Sequence, residues 1–512
     1  MSVSASSAWC ALMRHCEALK PQNLSVPMRE EAWMDACTLS QDGLTLCYAF
    51  QHVTNETLRL LEALAIQQKV AEWRARMFSG EAINDTENRA VLHTALRQDG
   101  DEPVLVEGKN VLPDIRRVQA QMKAFVEAVR SGARKGATGQ AFRTVVNIGI
   151  GGSDLGPRLA AHACAQNEDP LRVRFVANVD AFDLNEALKD ADPATTLFIV
   201  VSKTFKTQET TMNAQRARAW IEEALGPDAV GRHIVAVSAN GEAARAFGIE
   251  GDTLFPMWDW VGGRTSVWSA VGLSAALAMG FDRYREFLRG AAAMDRHFLR
   301  QPFGRNMPVM LGLLGIWNRN FLGCGAKAIL PYGERLRDFP RYVQQLEMES
   351  NGKRVSRQGT VVDYATAPVV FGECGTVGQH GFHQCLHQGT DTIAADFLAV
   401  GTDDLGQPEQ HRALLSNLAA QVEALAFGRP EASRPCDVYP GQRPSTVIKL
   451  DRLDPYTLGM LMALYEHEVF VQGIIWEINS FDQPGVELGK SLAKKFECEG
   501  AASSLLFKRL SS

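Results

Sequence analysis

The sequence predicts an α/β protein with two parallel-sheet domains between helical N- and C-terminal segments. Three observations carry this prediction. From about residue 140, short β-branched runs alternate with amphipathic stretches, which is the rhythm of βαβ units in a parallel sheet. After a helix-rich zone over 265–300 the same rhythm resumes more loosely. At 512 residues the chain is long enough for two or more domains, each with its own core.

Taken in order, residues 1–100 are mostly helical in pattern and rich in charge, as over 56–78, and carry no recognisable chemistry. Buried strands are expected over 145–150, 172–179, 197–201 and 233–237, with helices over 155–166 and 208–225 between them. The second half offers strands over 327–331, 368–371, 390–400 and 446–450, followed by helices over 411–427 and 455–478. The stretch 428–444, with four prolines among polar neighbours, reads as a surface loop and not a domain boundary.

Composition narrows the function. Hydrophobic residues make up 46% and charged residues 22%, ordinary for a soluble globular protein. The net charge of −6 provides no basic field for nucleic acid, so an anionic ligand needs a local positive pocket. Ten cysteines are scattered without a CxxC pair, which fits reduced thiols in a cytoplasmic protein better than a disulfide scaffold. The N-terminus lacks an apolar signal core, and the longest apolar run, near 310–317, is too short to span a bilayer.

Several segments carry chemistry. The run Val200–Thr211 passes from an apolar strand into a helix through a loop holding Ser202, Lys203, Thr204 and Thr207. In a parallel sheet that loop lies at the ligand-binding end, and the N–H groups of the helix start attract anions. Thr207 is placed to cap the helix. A glycine-rich turn, Asn147–Pro157, contains Gly149, Gly151, Gly152 and Ser153. A dinucleotide fingerprint counted from Gly149 needs glycine at 154, where Asp154 stands. Gly262-Gly263-Arg264 puts an arginine after a flexible turn and before a helix start, suited to an anionic ligand or else to pairing with Asp259.

Met348-Glu349-Ser350-Asn351-Gly352-Lys353 places a carboxylate at the end of a helix. The negative end of the macrodipole disfavours its charge, which suits a general base. Gly378–Gly389 holds His380, His383 and His387, of which the last two would share a helix face. A metal site is weighed there, against which no HExxH pattern and no acid occurs in that helix. Lys490 follows a glycine in Asn479–Lys494, where most lysines are solvated.

Together these segments resemble the glucose-6-phosphate isomerase family. Its motifs are matched by GIGGSDLGP at 149–157, SKTFKTQET at 202–210, MESNGK at 348–353, GQHGFHQCLHQG at 378–389 and SFDQPGVELGKSLA at 480–493. The resemblance implies two sugar-isomerase (SIS) domains, flavodoxin-like parallel sheets in α-β-α sandwiches, at 111–280 and 281–480. A helical segment over 1–110 would pack on the larger domain, and a C-terminal helical segment, 481–512, would carry a catalytic lysine. It further implies that Ser153, Ser202, Lys203, Thr204 and Thr207 hold a substrate phosphate and that Gly152 lies in the substrate-binding site. Gly263, Gln345 and Gln483 would contact the sugar. Glu349 would be the base, Arg264 would stabilise an enediolate, and His380 and Lys490 would open the pyranose ring. No cofactor or metal is implied. His380 would serve the neighbouring subunit's site in a homodimer.

Lys206, Thr265 and His383 depart from the family pattern. The activity implied is the interconversion of D-glucose 6-phosphate and D-fructose 6-phosphate. Alternatives are an isomerase that also accepts mannose 6-phosphate, a non-catalytic sugar-phosphate sensor, and a nicotinamide-dependent oxidoreductase. The sensor would not need Glu349, Arg264, His380 and Lys490 together, and the oxidoreductase would need the missing glycine fingerprint.

Overall fold

The computed structural model describes residues 2–20, 22–249, 251–500 and 504–510. Among the described residues, thirteen strands form in chain order. The first pair, β1 (Thr38–Gln41) and β2 (Leu44–Cys47), is a hairpin, and β3 (Leu105–Val106) with β4 (Lys109–Asn110) is a short ribbon. Next come β5 (Thr144–Ile148), β6 (Arg172–Val176), β7 (Thr196–Val201), β8 (Ile234–Ser238) and β9 (Leu254–Pro256). The last four are β10 (Ala326–Tyr332), β11 (Val369–Gly372), β12 (Ala394–Val400) and β13 (Ser445–Leu450).

The first main sheet is wholly parallel, in the order β6-β5-β7-β8-β9. Every residue of β5, β7 and β8 is buried, because helices cover both faces and the strands are therefore predominantly apolar. In this order the chain runs outward from β5 on both sides. The loops after β5 and β7 therefore diverge from neighbouring strands at a topological switch point, where ligands bind in open α/β sheets. Those two loops are the glycine turn and the Ser202–Thr207 segment.

The second sheet runs β1-β2-β13-β12-β10-β11, with β13, β12, β10 and β11 parallel and the hairpin antiparallel to β13. The expectation of a helical N-terminal segment is thus corrected in part: residues 38–47 form a hairpin that completes a sheet of the second half. Asp42 and Gly43 both have positive φ (46° and 87°), the two-residue turn that Asp-Gly favours. Leu44 and Leu46 point into the core while Thr45 and Cys47 are half-buried.

The helix Pro455–Ile475 threads the interior. It packs on the helices Phe281–Arg300 and Met307–Ile316, and all but its first two residues are buried. A helix buried on all sides by its neighbours should be apolar all round, yet this one carries Glu466, His467 and Glu468. Arg97 meets that need by reaching Glu466 and Asp295. Lys327 meets it at Glu468 (2.6 Å), Asp396 (3.3 Å) and Glu347 (3.4 Å). Among the described residues, no helix is long and apolar enough to cross a membrane, and the ten cysteines are free.

Candidate active site

The site forms where a turn of the first half meets a helix end of the second. At Gly152 a Cβ would lie 1.9 Å from the carbonyl oxygen of Gly263, so only glycine lets the two turns touch backbone to backbone. That contact sets Arg264 beside the glycine turn. A Cβ on Gly151 would meet the Gln345 amide at 3.0 Å, whereas one on Gly263 would have open space.

Arg264 is buried, and its guanidinium spans both halves. Its Nε donates to Ser350 Oγ (2.7 Å), and Nη1 donates to Gln483 Oε1 (3.0 Å). Nη2 is shared among the carbonyls of Asp482 (2.7 Å), Ser480 (3.3 Å) and Glu349 (3.3 Å). Burial lowers its proton affinity, and the charges of Glu349 and Asp482 partly restore it. Its carboxylate partner is Glu349, with Nη1 3.5 Å from Oε2; the alternative with Asp259 does not occur. Instead, the backbone carbonyls of Asp259 and Val261 accept from the Lys203 ammonium (2.8 and 3.1 Å).

Glu349 sits in the last turn of the helix Phe339–Asn351, capped by Gly352. A Cβ on Gly352 would lie 2.4 Å from the Met348 carbonyl oxygen, which explains the glycine stop. Glu349 Oε2 also accepts from Gln345 Nε2 one turn back (3.0 Å). A carboxylate, a carboxamide and a guanidinium thus share one partly open spot, the donor and acceptor set that proton transfer beside a developing oxyanion requires.

The Ser202–Thr207 loop lies alongside. Ser202 Oγ accepts from the Phe205 N–H (3.0 Å) and stands 3.4 Å from Thr207 Oγ1. Phe205 is held at φ 56°, a conformation that non-glycine residues adopt at a cost when the surroundings demand it. Thr207 occupies the N-cap of the helix Gln208–Leu225, but its side chain makes no capping bond. Its hydroxyl instead faces Ser202, so the expected cap is corrected to a hydroxyl pair at an open helix start. The Lys203 ammonium is thus engaged by backbone carbonyls and does not project freely into the loop. Thr204 and Lys206 are exposed, and Ser153 is half-buried in the glycine turn.

Two expected residues stand apart from this cluster. His380 is exposed in a short 3₁₀ turn, Val377–His380. Lys490 lies on the helix Glu487–Glu499, of which no residue is buried, and it pairs with Glu487 (2.8 Å). Neither is bonded to Arg264 or Glu349. The helix touches the first sheet's domain where Gln208 donates to Glu497; residues 501–503 and 511–512 of that segment lie outside the described residues. His383 and His387 both hydrogen-bond to Gln421 Oε1 (3.0 and 2.8 Å), which gives the histidine pair a packing role. Thr265 bonds only within its own turn, to the Gly262 carbonyl (3.4 Å).

Sequence reasoning passed over the residues that support the site. Ser350 orients Arg264, and Asn351 ties the helix end to Ser480 (2.6 Å) and to the Val469 carbonyl (2.9 Å). Both stand inside the quoted MESNGK string. Their role depends on the 480–483 loop, more than a hundred residues away, which no local pattern reveals.

Comparison with known proteins identifies the family of the chain. The profile of the family described as Phosphoglucose isomerase matches residues 47–509. The chain is 50% identical over 515 residues to the glucose-6-phosphate isomerase of Anaeromyxobacter dehalogenans (strain 2CP-1 / ATCC BAA-258), covering 98% of this chain and 94% of that protein. It is 48% identical over 505 residues to that of Dechloromonas aromatica (strain RCB), covering 95% and 94%. Among solved structures, a glucose-6-phosphate isomerase from Chlamydia trachomatis D/UW-3/Cx is similar at a TM-score of 0.89 and 33% identity, covering 97% of this chain and 96% of that one.

Proposed function

The chain belongs to the phosphoglucose isomerase family, and from that premise we propose how its residues interconvert D-glucose 6-phosphate and D-fructose 6-phosphate. The reaction is an aldose–ketose isomerisation of glycolysis and gluconeogenesis. It moves one proton between adjacent carbons while negative charge builds on the carbonyl oxygen. Glu349 takes the proton from C2 of the open-chain aldose and returns it to C1. Arg264 holds the enediolate oxygen formed between these steps. Gln345 keeps the Glu349 carboxylate oriented, and Gln483 fixes Arg264 from the other side.

The phosphate occupies the switch-point loops, held by the hydroxyls of Ser153, Ser202, Thr204 and Thr207 and by backbone N–H groups of Gly152 and Lys203. Binding energy at that remote end positions the reacting carbons. His380 and Lys490 open the ring. Because both stand on exposed elements, we assign His380 to the site of a second copy in a homodimer and Lys490 to a contact made with substrate present. We place the enzyme in the cytoplasm, in keeping with its free thiols.

The observation that carries this reading is the pair Glu349–Arg264 at 3.5 Å, set beside the glycine turn by the backbone contact of Gly152 with Gly263. Purified protein given fructose 6-phosphate should yield glucose 6-phosphate without any added cofactor. Failure to form the aldose would overturn the reading.

A further inference from the structure

Lys353, the last residue of the MESNGK string, has no place in the chemistry above, yet its ammonium is among the most heavily engaged groups near the site. Nζ donates to the carbonyls of Ser350 (2.8 Å), Asp482 (2.9 Å), Asn479 (3.0 Å) and Glu349 (3.2 Å). It also forms an ion pair with Asp482 Oδ1 at 3.0 Å. A lysine just past a helix end often does no more than satisfy the last carbonyls. That role accounts for Glu349 and Ser350 but not for Asn479 or for either contact with Asp482.

The same oxygens reappear around Arg264. The Asp482 carbonyl accepts from Arg264 Nη2 (2.7 Å) as well as from Lys353, and so does the Glu349 carbonyl (3.3 Å). The two cations grip the same pair of segments, the helix end and the 479–483 loop, through shared acceptors. That loop also carries Gln483, which accepts from Arg264 Nη1. Asp482 is fixed in turn from the N-terminal segment, where Thr86 donates to its Oδ2 (2.6 Å).

We propose that Lys353, with Asp482 as its counter-ion, is a positioning residue that sets the Arg264 guanidinium at the distance from Glu349 that enediolate stabilisation needs. The inference rests on the function proposed above. Lys353 touches no reacting atom; it acts only through the loop and helix end that hold Arg264. Removing it frees the 479–483 loop from the helix end, so the shared carbonyls and Gln483 shift away from the guanidinium. Substrate anchoring at the switch-point loops is left intact. Catalysis is sensitive to misplacements of about an ångström.

The test compares Lys353→Met, Arg264→Gln and the double variant with the wild type, over fructose 6-phosphate concentrations that reach saturation and well below each protein's unfolding temperature. Lys353→Met should lower kcat by on the order of thirtyfold while KM changes less than about threefold. Its effect should largely vanish in the Arg264→Gln background, because residues acting as one unit are not additive. Asp482→Asn keeps the backbone carbonyl and removes the ion pair, so it should show a smaller loss of kcat with the same non-additivity. That variant carries the test if Lys353→Met does not fold. A normal kcat in the lysine variant, or losses that simply multiply in the double variant, would overturn the inference while leaving the isomerase reading untouched. A wild type with no isomerase activity would overturn both.

Discussion

Glu347 and Glu349 share the helix Phe339–Asn351 but face opposite sides of it, since two residues turn an α-helix by about 200°. Glu347 points into the core. It is fully buried and lies 3.4 Å from Lys327, and burial raises its proton affinity against the pull of that lysine. Lys327 also serves Asp396 and Glu468, so one cation faces three carboxylates. Glu349 points to the seam between the two halves, with Arg264 on one side, Gln345 behind it and a quarter of its side chain still exposed. One acid is locked in a closed ionic cluster. The other keeps an open side on which a substrate can be placed. The lesson is that an acid's role follows from the helix face it occupies, because that face fixes both its partners and its access.

The sharpest way to break this contrast is to neutralise each acid in turn. Glu349→Gln should lower turnover by on the order of a hundredfold or more with substrate binding nearly intact. Glu347→Gln should leave turnover per folded molecule within about threefold, as expected for a group that never meets the reacting atoms. Steady-state kinetics on both variants decides it. Comparable losses would mean that the two faces do not divide the labour.

Stability should divide the other way. Lys327→Met strands three buried carboxylates without their cation, and breaking a buried pair in this manner costs about 3–5 kcal/mol. Denaturant unfolding should register that loss while the folded fraction keeps its activity. A third test uses pH. Glu468 is pushed up to about 8, chiefly by burial, with Lys327 pulling it back only in part. A group that holds its proton more tightly when folded gives its full stabilisation below its ordinary value near 4.5, and loses it as pH rises through about 8. Wild-type melting temperature should therefore fall across that window, and Glu468→Gln should flatten the fall. An equally steep variant would remove Glu468 as its source. The smallest effect is expected from chelators: with Arg264 supplying the positive charge at the site, activity should be unchanged, and metal-restorable loss would contradict that assignment.

Much of the fold was legible in the sequence because its signals are local. The buried strands Thr144–Ile148, Thr196–Val201 and Ala394–Val400 are mainly apolar, broken in their cores only by Asn147 and Asp396, and the glycine and Ser202–Thr207 loops follow the first two. The hairpin of residues 38–47 was missed in a segment that otherwise reads as helical, although Asp42-Gly43 between alternating leucines was an available signal. Strand Leu254–Pro256 is three residues long and ends in proline, too short to register as a run. In the site, Glu349 and Arg264 were found from their turns. Lys327 escaped because it sits in the apolar strand Ala326–Tyr332 and meets its partners only across elements distant in sequence. Lys353 escaped for the same reason, since Asn479 and Asp482 are invisible to any local pattern.

The central assignment, that Glu349 carries the proton between the sugar carbons, is tested most directly by isotope exchange. Fructose 6-phosphate is turned over in deuterated water by the wild type and by Glu349→Gln, and the label at C1 of the ketose and C2 of the aldose is followed by NMR. Deuterium should appear at those carbons with the wild type and at a rate lower by on the order of a hundredfold with the variant. Unchanged exchange and isomerisation in Glu349→Gln would contradict the assignment.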